Sequence, residues 1–155
     1  MTYNDIIRRI RYALDISDVA MVKIFKLSGH KFFRSEVLNL LKKEDEDGFI
    51  ECSDALMADF LNGLIIQMRG RQEGKAEPPA ATAGLLTNNA ILKKLRIALA
   101  LQEEDMLAIM QLADAPVSKA ELSALFRKAG HKNYKDCGDQ FLRNFLKGLT
   151  LRYRS

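Results

Sequence analysis

The residue types best able to do chemistry crowd into one run, His131-Lys132-Asn133-Tyr134-Lys135-Asp136-Cys137-Gly138-Asp139. An imidazole near a thiol can make a cysteine nucleophilic, and His131, Cys137 and Asp139 are also metal-ligand types. Either chemistry needs more than these residues. A zinc site takes four ligands, and no CxxC or second Cys/His pair completes them. Catalysis by Cys137 with His131 as base needs an orienting group and an oxyanion donor, and the sequence identifies neither. An enzyme using Cys137 and His131 therefore ranks behind the readings below.

A second run, Lys42-Lys43-Glu44-Asp45-Glu46-Asp47-Gly48-Phe49-Ile50-Glu51-Cys52, has the carboxylate density of a calcium loop. With Gly48 as the sixth residue, such a loop would begin at Lys43, which is no ligand, and end at Asp54 instead of glutamate. The glycines are too dispersed for a phosphate-binding loop. No catalytic residue, metal or cofactor is expected.

These two runs are one place in a unit written twice. Shifted by 85 residues, Asn4 to Arg69 aligns on Asn89 to Arg154 without a gap. The identical pairs include Asn4/Asn89, Glu36/Glu121, Cys52/Cys137, Asp54/Asp139, Phe60/Phe145 and Gly63/Gly148. There are 18 identities in 66 aligned positions, against about four expected by chance from ordinary composition. The two loops share an aromatic residue at 49/134 and a cysteine three residues on, but their charges invert. Either the loops pair with each other, or they form a bipolar surface for a partner.

Each copy reads as four helices, and period-2 alternation is absent, so the expected fold is all-α: two tandem four-helix repeats related by an approximate internal twofold. The expected organisation is a first repeat over 1–70, a linker over 71–87 and a second repeat over 88–155. In the first helix Ile6, Ile7, Ile10 and Leu14 repeat as Ile91, Leu92, Leu95 and Leu99, with Asn4/Asn89 as caps. The second helix turns Met21, Ile24, Phe25 and Leu27 inward, and its copy Met106, Leu107, Ile109, Met110 and Leu112. The third uses Val37, Leu40 and Leu41, or Leu122, Leu125 and Phe126, with Ser118 and Glu121 at capping-box spacing and Gly130 as a left-handed stop. The fourth aligns Leu56, Phe60, Leu64 and Met68, or Phe141, Phe145, Leu149 and Tyr153, with Asp54/Asp139 as N-caps. Gly63 and Gly148, mid-helix where glycine costs about 1 kcal/mol, mark a close helix crossing that admits no Cβ.

A unit of this size is marginal alone, so the copies should pack on each other. Charged residues near the start exclude a signal-peptide core, and no apolar run is long enough to cross a bilayer. The expectation is a cytoplasmic protein with reduced, buried cysteines and no membrane partner. A disulfide between Cys52 and Cys137 would need their Cα atoms within about 7 Å. The net charge of +4 is uneven: residues 4–70 hold 10 Lys/Arg and 11 Asp/Glu, and residues 89–155 hold 12 and 7.

The segment His131-Lys132-Asn133-Tyr134-x-x-Cys137-Gly138-Asp139-Gln140-Phe141-Leu142-Arg143 carries a family resemblance. With Leu92-Lys93-Lys94-Leu95-Arg96-Ile97-Ala98 and Lys42 to Phe49, it resembles the YehS-like family of small bacterial proteins over nearly the whole chain. The resemblance implies a bacterial cytoplasmic protein with a duplicated helical domain, in a family of unknown function, and brings no catalytic or ligand residues.

The leading functional expectation is a non-catalytic interaction module binding a protein partner through the loops, with Glu44, Asp45, Glu46 and Asp47 as the acidic contact. The alternative is nucleic-acid binding through Lys93, Lys94, Arg96, Arg127, Lys128, Lys132, Lys135, Arg143 and Lys147, with His131 nearby and Tyr134 stacking on a base. Arg8/Lys93, Arg9/Lys94 and Arg11/Arg96 recur in the first helices, either as a solvated face or as a phosphate-binding ridge. A flexible linker also permits a homo-oligomer by exchange of repeats between chains.

Overall fold

The structure is a computed structural model that describes residues 1–70 and 86–154. These residues form helices α1 (Tyr3–Leu14), α2 (Asp18–Leu27), α3 (Arg34–Leu40), α4 (Asp54–Arg69), α5 (Asn88–Ala98), α6 (Glu103–Leu112), α7 (Lys119–Leu125) and α8 (Asp139–Arg154), with no strand among them. The fold is all-α with two tandem repeats. Of the linker expected over 71–87, residues 71–85 lie outside the described residues. Thr87 caps α5, its hydroxyl accepting from the Ala90 N–H at 3.1 Å.

Within each repeat the second helix lies on the fourth, α2 on α4 and α6 on α8. The glycines set that approach. A Cβ built on Gly63 would stand 2.0 Å from the carbonyl oxygen of Ile24, and one on Gly148 would stand 2.0 Å from that of Ile109. Backbone meets backbone there, which is why both copies accept the helix-weakening residue.

The first helices cross over. α1 packs chiefly on α8 and α5 chiefly on α4, so each repeat's first helix lies on the fourth helix of the other repeat. These pairings map onto each other when the repeats are exchanged, as an approximate twofold requires. Both pairs run parallel. The Met1 nitrogen lies 2.9 Å from Asp139 Oδ2 at one end of the first pair, and Arg154 Nη1 donates to the Tyr12 carbonyl at 3.0 Å at the other. In the second pair Lys94 Nζ donates to Asn62 Oδ1 at 2.7 Å, in the same register as Leu86 with Asp54.

A single core results. Ile6, Ile7 and Ile10 from α1 and Ile91, Leu92 and Leu95 from α5 are buried in it with Phe60, Leu64, Phe145 and Leu149 from the fourth helices. The expected stripes run out at their tips. Leu112, Met68 and Tyr153 are exposed, because each stands at the last turn of its helix, beyond the helix that covers its row. Leu14, Leu27, Leu41, Leu99, Leu107, Phe126 and Phe141 are only partly buried.

Several expected caps belong to neighbours. Thr2 caps α1, accepting from the Asp5 N–H at 3.1 Å, and Ser53 caps α4, accepting from the Leu56 N–H at 3.1 Å. Asn4, Asn89 and Asp54 therefore lie inside their helices and are free for other work, and Asp139 is the first residue of α8. Ser118 does cap α7, accepting from the Glu121 N–H at 3.1 Å. Gly130 is left-handed at φ 94°, but it belongs to the turn closed by His131 N–H to Lys128 O, past the end of α7.

Candidate functional site

The starts of α1, α4, α5 and α8 gather at one end of the molecule, and the asparagines expected as caps organise it. Asn4 Nδ2 donates to Leu40 O at 3.0 Å and to Ile50 O at 2.8 Å, and its Oδ1 accepts from the Cys52 N–H at 2.8 Å. Asn89 repeats the set, to Leu125 O and Lys135 O at 2.9 Å each and from the Cys137 N–H at 2.8 Å. A primary amide offers donors and an acceptor on one short stem, so one side chain satisfies three backbone groups of a loop that has no ladder of its own. The α3–α4 and α7–α8 loops are thus held to this end by the same device.

The aspartates complete it. Tyr3 Oη donates to Asp54 Oδ1 and lies 2.9 Å from Leu86 O. At the equivalent position Asn88 Nδ2 donates to Asp139 Oδ1 at 2.8 Å and to Cys137 O at 3.1 Å. Burial, then the hydrogen bond and charge of Asp54, push the Tyr3 phenol up to about 12. The Asn88 amide and the Met1 nitrogen hold the Asp139 carboxyl below its usual value. Beside the first repeat's set opens a cleft of about 920 Å³ lined by Tyr3, Arg8, Glu44, Phe49, Glu51 and Asp54 among others.

The thiols sit beneath the loops. Cys52 and Cys137 are both free and buried. Burial first, then the neighbouring aspartate, pushes Cys52 up to about 12 and Cys137 up to about 11, so both stay protonated near neutral pH. Cys137 Sγ points to Gly138 O at 3.7 Å, and His131 Nδ1 accepts from the Asn133 N–H at 3.0 Å. Each group is occupied locally, and no hydrogen bond joins imidazole to thiol. No trio of His, Cys, Asp or Glu among the described residues is arranged to hold a metal ion.

The acidic loop residues Glu44, Asp45, Glu46 and Asp47 are all exposed. They are ordered from within, by Lys42 Nζ on Asp47 O at 2.7 Å and the Lys43 N–H on Glu46 Oε2 at 3.4 Å. Arg127, Lys128, His131, Lys132 and Lys135 are exposed on the other loop. Among the described residues no ion pair links the loops, so the pairing alternative is not realised.

Two members of the second repeat's basic set, Arg96 and Lys94, are engaged within the fold. Arg96 is structural: its guanidinium carbon lies 4.8 Å from the Phe126 ring centroid, and its Nε donates to Leu101 O at 3.1 Å. Lys94 is half-buried in the α4/α5 seam, and desolvation, then Lys93, lowers its pKa. Lys93 is exposed on α5, and Arg143 bonds Gln140 on α8 at 3.1 Å. Tyr134 is partly covered, and desolvation, then Asp136, raises its phenol above the usual value. Arg8, Arg9 and Arg11 do not form a ridge, because Arg11 turns to Asp18 at 3.3 Å and Arg8 pairs with Asp5.

The sequence reading missed the asparagine clamp and its aspartate companions. Their signal was present in the recurrence of Asn and Cys 48 residues apart in both copies.

Fold and site together define a duplicated, all-α protein whose two halves share one interior. The chain matches a family model described as "Protein of unknown function (DUF1456)" over residues 3–70 and again over 88–155, and it belongs to that family. It is 42% identical over 152 residues to the uncharacterized protein YehS of Escherichia coli (strain K12), a match covering 98% of this chain and 96% of that protein. No solved structure matches. Among the described residues, no helix is long and apolar enough to cross a membrane.

Proposed function

We propose that the protein is a non-catalytic interaction module that binds a protein partner through the loop end of the molecule. One observation carries the reading: two loops of opposite charge, held to the same end by identical asparagine clamps, with no ion pair between them. Exposed charge of both signs at fixed separation favours a surface with a complementary pattern, setting its orientation and encounter rate more than its affinity. A nucleic-acid backbone would meet Glu44 to Asp47 at the same end and be repelled, which places that alternative second. The protonated, buried thiols supply no nucleophile to an enzymatic reading.

The test is affinity capture from a bacterial lysate with the intact chain and a charge-reversed form, carrying lysines at 44–47 and glutamates at 127, 128, 132 and 135. A reproducible protein captured by the first and lost by the second, with both equally stable, supports the proposal. Capture that is the same with both forms, or no reproducible partner, counts against it. Salt-titrated fluorescence anisotropy with RNA and DNA probes decides the second reading, since phosphate neutralisation weakens steeply with salt.

A further inference from the structure

The α1/α8 seam differs from its counterpart in a way that leaves charge unanswered. In the α4/α5 seam, Lys94 meets the Asn62 amide oxygen at 2.7 Å, and Ile97 and Ile66 stand near it on the two helices. The equivalent positions in the α1/α8 seam hold Arg9, Lys147, Tyr12 and Leu151. The register set by Met1 and Asp139 puts Arg9 opposite Lys147, both lining a groove of about 450 Å³. Two cations thus face each other where the other seam has a cation and its acceptor.

Neither of these cations makes a hydrogen bond or ion pair among the described residues. The other charged pair in the groove is already closed. Arg8 bonds Asp5 and, at 2.8 Å, Lys42 O, so the Asp5 carboxylate is engaged and the surplus positive charge rests on Arg9 and Lys147. Farther along, Tyr12 and Leu151 line the same groove, 56% and 43% exposed, and the Arg154 guanidinium stacks over the Tyr12 ring at 4.1 Å. The groove has a cationic middle and an aromatic-aliphatic end. Its volume falls in the range of about 300–1,000 Å³ usual for small-ligand clefts.

We propose that this groove binds a nucleoside phosphate, with the phosphate between Arg9 and Lys147 and the base against Tyr12 and Leu151. A phosphate dianion supplies the acceptors that Asn62 supplies to Lys94 in the other seam, and relieves the repulsion between the two cations. Guanidinium and ammonium suit this task together, one as a planar fork and the other as a point charge. The flat, partly exposed phenol ring offers the stacking surface a base requires. The groove lies along the α1/α8 seam, so it stands or falls apart from the loop-end proposal.

The experiment is isothermal titration calorimetry of the whole chain at low salt with AMP, inorganic phosphate and a short oligoadenylate. Lys147→Asn and Tyr12→Ile write one seam onto the other and Arg9→Ala removes the second cation, each variant being checked by urea denaturation for an unchanged fold. AMP binding that falls with salt and weakens about tenfold or more in Lys147→Asn and Arg9→Ala is expected. Tyr12→Ile should weaken AMP while leaving inorganic phosphate unchanged. Oligoadenylate tighter than AMP identifies a single-stranded nucleic acid as the source, and equal affinity identifies the free nucleotide. No binding of AMP or phosphate at low salt overturns the proposal, as does binding that Lys147→Asn leaves unaltered.

Discussion

Gly63 and Gly148 meet the carbonyls of Ile24 and Ile109 at the same distance, and Asn4 and Asn89 close the same three hydrogen bonds. The loops those asparagines hold nevertheless carry Glu44 to Asp47 in one repeat and Arg127 to Lys135 in the other. Identity persists where a side chain must answer a backbone group, because only one residue type has the right size or donor set. Divergence collects at positions that meet solvent or another side chain, and there it is directional: acidic against basic loop, Lys94–Asn62 against Arg9 and Lys147. The duplicated backbone is a common frame on which two different faces have been written.

The largest effect should come from adding one carbon at the crossings. Gly63→Ala and Gly148→Ala each press a Cβ into a carbonyl that cannot rotate away, and each should cost about 3 kcal/mol or more. Urea midpoints at unchanged slope measure this. Equal losses support equivalence of the repeats, whereas one repeat tolerating alanine would break it.

Next come the clamps. Asn4→Ala strands two carbonyls and an N–H in a buried setting and should cost about 3 kcal/mol, against about 2 for Asn89→Ala, whose surroundings are more open. The same urea series reads the difference. A larger loss at Asn89 would show that the basic loop, not the acidic one, depends more on its clamp.

The smallest effect sharpens the comparison from the stabilising side. Asp15 and Ala100 end the first helices in the left-handed conformation, at φ 52° and 53°. Alanine has no short polar group to ease that geometry, so Ala100→Gly should stabilise by about 0.5–1 kcal/mol and Asp15→Gly by less. Differential scanning calorimetry would see the higher melting temperature. A gain at Asp15 that matches or exceeds the gain at Ala100 would contradict this ranking.

Much of this was legible because helices announce themselves by spacing and the repeat announces itself by identity. Gly63 and Gly148 were read correctly, since a doubled glycine inside a helix has few physical excuses. Asn4 and Asp54 were misread as caps because a short polar residue near a helix start fits a cap and a tertiary hydrogen bond equally well. Leu112, Met68 and Tyr153 continue their apolar rows, but periodicity does not tell where the covering helix stops. The opposition of Arg9 and Lys147 was hidden for a deeper reason: in a duplicated chain, packing within a repeat and packing between repeats satisfy the same pattern.

The crossing of first helices also shapes how the chain reaches its native state. During synthesis α1 emerges about 140 residues ahead of the helix it rests on. Its apolar stripe must wait for that arrival, and contacts between such distant segments make folding slow for a helical protein. Until then the nascent first half presents an uncovered oily ridge, the kind of surface that chaperones hold.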